Sequence, residues 1–410
     1  MSGTPDESKT QTPAGIRPPI SRGKQLIFRL ISIVLALCIV AGFGEVLLRV
    51  LPMGRYRSSP FRRYDPLIGI ALLPNVKVVH SRGCFTGLVE TNRWGFRDRD
   101  RVLEKPPGEF RIALIGDSVL EAVHVQPEQV INIQMEQLLQ RQGYKNIEVM
   151  AFAVEGIGTT QEYLLYKEYA RQFHPDLVVL LFSNNDVFNN SSTLQPKIYG
   201  IHTWYAPYYD LGPDGNLVFH PVEARPLNSL TDFLETHSYF FYYLERVWLK
   251  FDPTIYKWHG LNLYYEQYED DPVNPEWKQA WTVTEKVLAM MRETVEADGA
   301  KFALVMQPDI YAIDPQWRER MMKTDGTIPT DFKPEKFYER LQSIATQAGV
   351  TTLSEIPYLQ AYRAEYNLQF PFFSLPCDPH FSALGHQVAA AALIEGLQKN
   401  HLIAPPPGAQ

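Results

Sequence analysis

Cysteine is nearly absent from this chain: Cys38, Cys84 and Cys377 are the only three in 410 residues. Three cysteines cannot build a disulfide scaffold. No Cys/His cluster has zinc-ligand spacing either, so no metal site is expected. A basic excess is also missing. The 39 Lys and Arg are outnumbered by 46 Asp and Glu, a formal net charge of −7. A protein dedicated to DNA or RNA would carry a basic stripe to neutralise phosphates, so no nucleic-acid partner is expected. Internal repeats are lacking, and a single apolar run of membrane-crossing length excludes a polytopic membrane protein. With 45% apolar and 21% charged residues, the chain has enough apolar surface for a sizeable core, which excludes wholesale disorder and fibrous structure.

Residues 1–24 are rich in Ser, Thr, Pro, Gly and charge without apolar periodicity, and are expected to form a flexible tail. From Leu26 to Leu48 the sequence is apolar, interrupted only by Arg29 and Glu45. At about 1.5 Å per residue this reaches across a hydrocarbon core of about 30 Å, and a single transmembrane helix over 25–50 is expected. The competing reading is a secretory signal peptide with Leu30–Gly44 as its apolar region. The long preceding segment and the continuation through Val46, Leu47 and Leu48 favour a retained anchor. Lys9, Arg17, Arg22, Lys24 and Arg29 precede the span, and Arg49, Arg55, Arg57, Arg62 and Arg63 follow it. Charge bias therefore leaves the orientation open.

After a Pro- and Arg-containing extension (51–109), short apolar strands alternate with amphipathic helices. Arg111–Ile115, Ile147–Val154 and Asp176–Phe182 read as strands, with helices over Val130–Arg141 and about Thr160–Phe173. The pattern resumes late in the chain: a helix over Thr284–Ala297, a strand at Phe302–Gln307, a helix over Pro334–Ala348, a strand at Val350–Leu353 and a closing helix, Gly385–Gln398. Strands that are apolar throughout and alternate with helices indicate a parallel sheet covered on both faces. The expected fold class is α/β, a three-layer α/β/α doubly wound parallel sheet over 110–398, followed by a C-terminal tail, 399–410. Ligands in such sheets sit at the carboxyl ends of the strands.

The domain is interrupted by an aromatic-rich insertion, 194–282, without long helical or strand periodicity. Of the 7 Trp, 22 Tyr and 22 Phe in the chain, 21 fall between Tyr199 and Trp281. They include Trp204, Tyr205, Trp248, Trp258, Tyr264, Tyr265, Tyr268, Trp277 and Trp281. A satellite core and a binding surface are both open readings; exposed Trp and Tyr faces suit sugar rings.

Three polar clusters follow the first three core strands. In Gly116-Asp117-Ser118 the serine sits at a strand-to-helix turn, near the positive end of a helix, where a nucleophile passing through an oxyanion is favoured. A plain helix cap is the bland alternative. Glu155-Gly156-Ile157-Gly158 places a bare backbone N–H after the second strand, and Ser183-Asn184-Asn185-Asp186 places an amide donor after the third. Ser118 N–H, Gly156 N–H and the Asn185 amide would converge on one oxyanion. Each alone is more often a turn residue, but three in register at consecutive strand ends reverse those odds. A base is available in the Pro-containing loop before the last helix. There Asp378 can orient His380, leaving the other ring nitrogen for the Ser118 proton. His386 is the competing base, read as structural and helix N-terminal.

These ordered blocks resemble the SGNH (GDSL-type) hydrolase superfamily from about Phe110 to Gln398, the insertion excepted. Upstream, Thr91-Asn92-Arg93-Trp94-Gly95-Phe96-Arg97-Asp98 resembles a segment of a membrane-anchored bacterial branch. The resemblance implies a flavodoxin-like fold and a serine nucleophile at Ser118. It also implies oxyanion donors at Gly156 and Asn185, an Asp378–His380 pair, and no cofactor or metal. Two departures stand out: Asp378-Pro379-His380 has one intervening residue where the family has two, and Ser183-Asn184 stands where the family often has glycine, which would narrow the site.

The expected function is that of a serine esterase or O-acyltransferase working through an acyl-enzyme on Ser118. Its substrate would be an acylated carbohydrate or lipid, with the catalytic domain on the extracytoplasmic side. A non-catalytic polysaccharide-binding assembly factor and a membrane-facing lipase or thioesterase are the alternatives. For Cys84 and Cys377, a disulfide beside the catalytic loop and two buried thiols both stay open.

Overall fold

The computed structural model describes residues 21–51, 61–82, 85–199, 206–222, 228–251, 261–269, 271, 274–324, 328, 332–368, 373–375 and 378–406. They belong to two units, one ending at Leu51 and one running from Pro52. Among its described residues the first contains a single helix, α1 (Arg22–Val50), of 29 residues, none of them buried. It begins before the expected boundary at residue 25, because Gln25 N–H donates to Ser21 O at 3.0 Å and closes the first turn. The helix is long and apolar enough to cross a membrane. Polar groups along it are paired locally: Ser32 Oγ donates to Phe28 O at 2.8 Å, and Arg49 Nε donates to Glu45 at 2.6 Å.

The second unit opens with two antiparallel hairpins, β1 (Arg62–Asp65) with β2 (Gly69–Leu72), and β3 (Lys77–Arg82) with β4 (Phe85–Glu90). Then follow β5 (Phe110–Gly116), α2 (Ser118–Glu121), α3 (Ile131–Arg141), β6 (Ile147–Ala153), α4 (Thr159–Glu168), β7 (Leu177–Phe182), α5 (Asp186–Asn189) and α6 (Leu194–Tyr199). The insertion contributes a hairpin, β8 (Tyr208–Leu211) with β9 (Leu217–His220), and helices α7 (Asn228–His237), α8 (Tyr239–Phe251) and α9 (Leu261–Tyr265). The chain continues through α10 (Pro275–Ala297), β10 (Lys301–Met306), α11 (Ile310–Ile313), α12 (Pro315–Thr324), α13 (Glu335–Gln347), β11 (Thr351–Ser354) and α14 (Ile356–Glu365). It ends with β12 (Ser374–Leu375), β13 (Asp378–Phe381) and α15 (Ala383–Lys399).

Five strands form one parallel sheet in the order β11-β10-β7-β5-β6. Counting only these strands along the chain, the order is 2-1-3-4-5, the flavodoxin-like doubly wound arrangement. The apolar strand runs follow from burial on both faces, since side chains alternate across the sheet. Ile112 and Leu114 of β5, with Leu177, Val179 and Leu181 of β7, pack against Met135 and Leu139 of α3 and Val388 and Leu393 of α15. Ala113, Ile115, Val178, Leu180 and Phe182 face the other way, toward Leu165 of α4, Val287 and Met291 of α10 and Leu341 of α13. Each fully buried Leu or Ile contributes about 1.5–3 kcal/mol.

The packing begins well before Phe110. Ile68, Ile70 and Phe96 join the main core, while Phe61, Leu72, Val89 and Val123 form a smaller cluster beside the end of α2. The extension is therefore folded against the sheet. The insertion also has regular structure where none was expected. Residues 239–251, YFFYYLERVWLKF, form the helix α8. Tyr264, Tyr265, Tyr268, Trp277 and Trp281 are buried in the main core. Trp204, Tyr205 and Trp258 lie outside the described residues, as do Cys84 and Cys377.

Candidate active site

Ser118 is the first residue of α2, directly after β5. Asp117 caps the helix, its carboxylate accepting Val119 N–H at 3.1 Å and the Ser183 hydroxyl at 3.0 Å. The capping role therefore belongs to Asp117, and the Ser118 hydroxyl is directed elsewhere: its Oγ lies 2.8 Å from His380 Nε2. On the other edge of the ring, Nδ1 hydrogen-bonds Asp378 Oδ1, which also accepts His380 backbone N–H at 3.1 Å. A carboxylate only accepts, so Nδ1 carries the proton and Nε2 is left to receive one from the serine. The single residue between Asp378 and His380 is accommodated because both lie on β13. In a strand, residues i and i+2 project from one face. Burial opposes ionisation of the pair, but the mutual hydrogen bond and opposite charge prevail. The Asp378 carboxyl is held well below the usual carboxylate range and the imidazole of His380 is raised above its ordinary value.

Gly156 follows β6 with φ +79°, a left-handed conformation that favours glycine, and open space surrounds the position of an added Cβ. Asn185 precedes α5, its amide 3.4 Å from Ile157 O in the same loop as Gly156 and hydrogen-bonded to Asp117. The Ser118 N–H opens α2, where the first backbone donors of a helix lack intrahelical partners. All three expected donors thus belong to neighbouring strand ends. Ser183 does not narrow the site, because it is buried and turned to Asp117. Asn184 is directed away, donating to Tyr264 and Tyr268 hydroxyls at 2.9 Å each.

His386 sits in the first turn of α15, fully buried, with neither ring nitrogen partnered among the described residues. It stacks on His124 at 5.8 Å, which in turn lies 5.0 Å from His380. Burial pushes His124 down to about 2 and His386 down to about 3, with the charge of His380 acting in the same direction on both.

Several supporting residues carry no signal by type or spacing. Arg97 is buried and donates to the carbonyls of Glu121 (3.0 Å), Ala122, Val125 (2.5 Å) and Leu88 (2.8 Å), gripping the end of the helix that begins with Ser118. That burial pushes its guanidinium down to about 10. Asn92 accepts Trp94 and Phe96 N–H at 3.0 Å each, which shapes the loop that delivers Arg97. The Thr91–Asp98 segment thus braces the turn that carries Ser118. Arg62 and Glu121 also lie here, and Glu162 is buried behind Asp117 and Asp186.

A serine hydroxyl on an oriented imidazole, beside backbone and amide donors, is equipped for acyl transfer through a tetrahedral oxyanion. The sheet order and the places of the polar blocks are those the SGNH resemblance implies. The fold is a doubly wound α/β sheet of flavodoxin-like strand order. Among solved structures, similar chains include the one titled TesA (13% identity, 70% of this chain and 98% of that chain, TM-score 0.37). Others are an acetyl xylan esterase (14%, 70% and 98%, 0.37) and the lipase/acylhydrolase from Enterococcus faecalis (12%, 71% and 96%, 0.34). No protein-family model matches the chain, and no curated protein does. Among the described residues no group of His, Cys, Asp and Glu is placed to hold a metal ion.

Proposed function

We infer that this protein is an SGNH-type serine esterase or O-acyltransferase. The observation that carries the reading is the relay Asp378–His380–Ser118, with His380 Nε2 2.8 Å from Ser118 Oγ. Ser118 Oγ attacks the ester carbonyl as His380 Nε2 takes its proton. The Ser118 and Gly156 N–H groups and the Asn185 amide hold the oxyanion. His380 then returns the proton to the departing alkoxide, leaving an acyl-Ser118 ester. Water or a sugar hydroxyl, deprotonated by the same imidazole, releases the acyl group. Asp378 orients the ring and balances its transient positive charge.

The substrate class we propose is an O-acylated, chiefly acetylated, polysaccharide outside the cytoplasm, with α1 as a membrane anchor. The support is the aromatic insertion, whose β8–β9 hairpin keeps Tyr208 partly exposed, stacked on His220 at 4.7 Å, an aromatic pair of the kind that suits sugar rings. A second reading, a lipid-acting enzyme, is favoured by Leu230 and Phe233 of α7 and Leu244 and Val247 of α8, all largely exposed. The decisive experiment compares wild type with Ser118→Ala on an acetyl ester, with circular dichroism as a check of folding. Loss of turnover in a folded variant supports the reading, and retained turnover overturns it. A series of acyl-chain lengths separates the two substrate classes, since only the lipid enzyme prefers long chains.

A further inference from the structure

Arg62 enters the sequence as one positive charge among several after the apolar span, yet the fold brings it onto Glu121, at the end of the helix that Ser118 begins. It lies on β1, paired with Leu72 of β2, and is flanked by Phe61, which is buried in the small cluster with Leu72, Val89 and Val123. Its guanidinium sits over the Phe61 ring, 4.8 Å from the centroid. From there Nη1 and Nη2 reach the two carboxylate oxygens of Glu121 at 3.1 and 2.7 Å, and Nη2 also reaches Glu155 Oε2 at 2.5 Å. A fork on a carboxylate is the strong, directional form of this contact, and lysine does not reproduce it.

Both partners adjoin the oxyanion donors. Glu121 lies on the one-turn helix that Ser118 begins, and it is 1% exposed. Its Oε2 also accepts the backbone N–H of Glu155, the residue immediately before Gly156. One carboxylate thus ties the serine turn to the glycine loop. Left unpaired, that buried carboxylate would be costly and would oppose a developing oxyanion nearby.

We propose that Arg62 is a positioning residue of the acyl-transfer site: it neutralises Glu121 and Glu155 and thereby holds the Ser118 and Gly156 N–H groups on one oxyanion. The inference rests on the serine-hydrolase reading above, and it makes the segment ahead of the sheet part of the working site.

The charged and titratable groups facing His380 are Asp378 on its own strand, Glu155 and Asp117 from the loops after β6 and β5, and the neutral His124 and His386. The group facing Arg62 besides its two carboxylates is Tyr242 of α8. Loss of the Arg62 charge removes an ion pair from Glu155, and Glu155 favours protonated His380.

The test measures kcat, KM and the pH profile of Arg62→Met, Arg62→Lys and the double variant Arg62→Met/Glu121→Gln on an acetyl ester. In R62M, kcat falls by about tenfold or more with KM little changed, and the acid limb moves to higher pH. R62K is intermediate with an unmoved limb. The double variant recovers part of kcat, because a glutamine oxygen still accepts the Glu155 N–H without a buried charge. Wild-type kcat with an unmoved limb in R62M overturns the proposal. Where R62M does not fold, Glu155→Gln decides, since its side chain is 36% exposed: an acid limb at lower pH supports the proposal and an unmoved one overturns it. Fluorophosphonate labelling of the wild type separates the two levels of inference. A wild type that neither labels nor turns over ends the hydrolase reading itself, whereas an active, labelled wild type with an indifferent R62M ends only the role of Arg62.

Discussion

The imidazole of His124 lies 5.0 Å from that of His380, ring centroid to ring centroid, and 5.8 Å from that of His386. The proposed base is therefore backed by two rings that stay neutral, since burial pushes His124 to about 2 and His386 to about 3. Of the three rings only His380, paired with Asp378, is raised above the ordinary histidine value.

The pH profile follows. A general base works in its neutral form, so kcat/KM on a small ester rises with pH through one midpoint, above the ordinary histidine value of about 6.5. In Asp378→Asn the two largest effects that raise His380 are gone and burial, which lowers it, remains, opposed only by the charges of Glu155 and Asp117. The midpoint moves to lower pH while kcat drops by up to about 10⁴. A midpoint that stays in place in D378N would show that His380 is held by something else.

Gly156 and Asn185 are separable by the way each would fail. An alanine at 156 has room for its Cβ, but φ of +79° costs an L-residue about 1–2 kcal/mol. Gly156→Ala therefore loses both stability and kcat as the loop relaxes. Asn185→Ala removes a side-chain donor and leaves the backbone alone, so kcat falls by about 10²–10³ and the thermal midpoint drops only by the hydrogen bond lost to Asp117, without backbone strain. Rate measurements beside thermal melts check both, and an N185A enzyme of wild-type kcat would remove Asn185 from the oxyanion site.

The parts of the fold legible in the sequence are those written in short-range pattern. Apolar runs such as Leu177–Phe182 reveal a doubly covered sheet because both faces of each strand are buried. The Gly-Asp-Ser turn and the Asp378–His380 pair are legible because each is compact in sequence. Arg62, Arg97 and His124 are not. Their roles come from contacts across 24 to 256 residues, Arg97 to Glu121 and His124 to His380 among them, and an arginine or histidine alone says nothing about such a partner. The helices α7 and α8 lie in the insertion, to which no elements are assigned from sequence.

His386 makes acid sensitivity testable. Its folded pKa lies far below the unfolded value, so the unfolded chain binds a proton that the fold refuses. The stability it contributes is present above about pH 6.5 and is lost toward pH 3, at about 1.4 kcal/mol per pH unit. His386→Phe removes that slope and keeps an aromatic ring against Phe381, whose centroid is 5.9 Å away. Urea unfolding of both proteins between pH 4 and 7 gives the comparison. Parallel curves would mean that His386 is protonated in the fold.

Glu162 behaves in the opposite sense. It is fully buried on α4, neither carboxyl oxygen has a partner among the described residues, and Asp186 and Asp117 lie close enough to act on it. Burial, then the like charges of Asp186 and Asp117, push its carboxyl well above the ordinary range, so the fold holds it protonated where the unfolded chain is ionised. Stability from such a group is complete below about pH 4.5 and declines as pH rises toward the folded value. Glu162→Gln is a neutral isostere and does not titrate. Relative to E162Q, the wild type therefore loses about 1.4 kcal/mol for each pH unit above that point until the folded carboxyl ionises. Chemical denaturation of the two proteins from pH 5 to 8 reads this difference directly, and a constant gap would place an ionised Glu162 behind the serine turn.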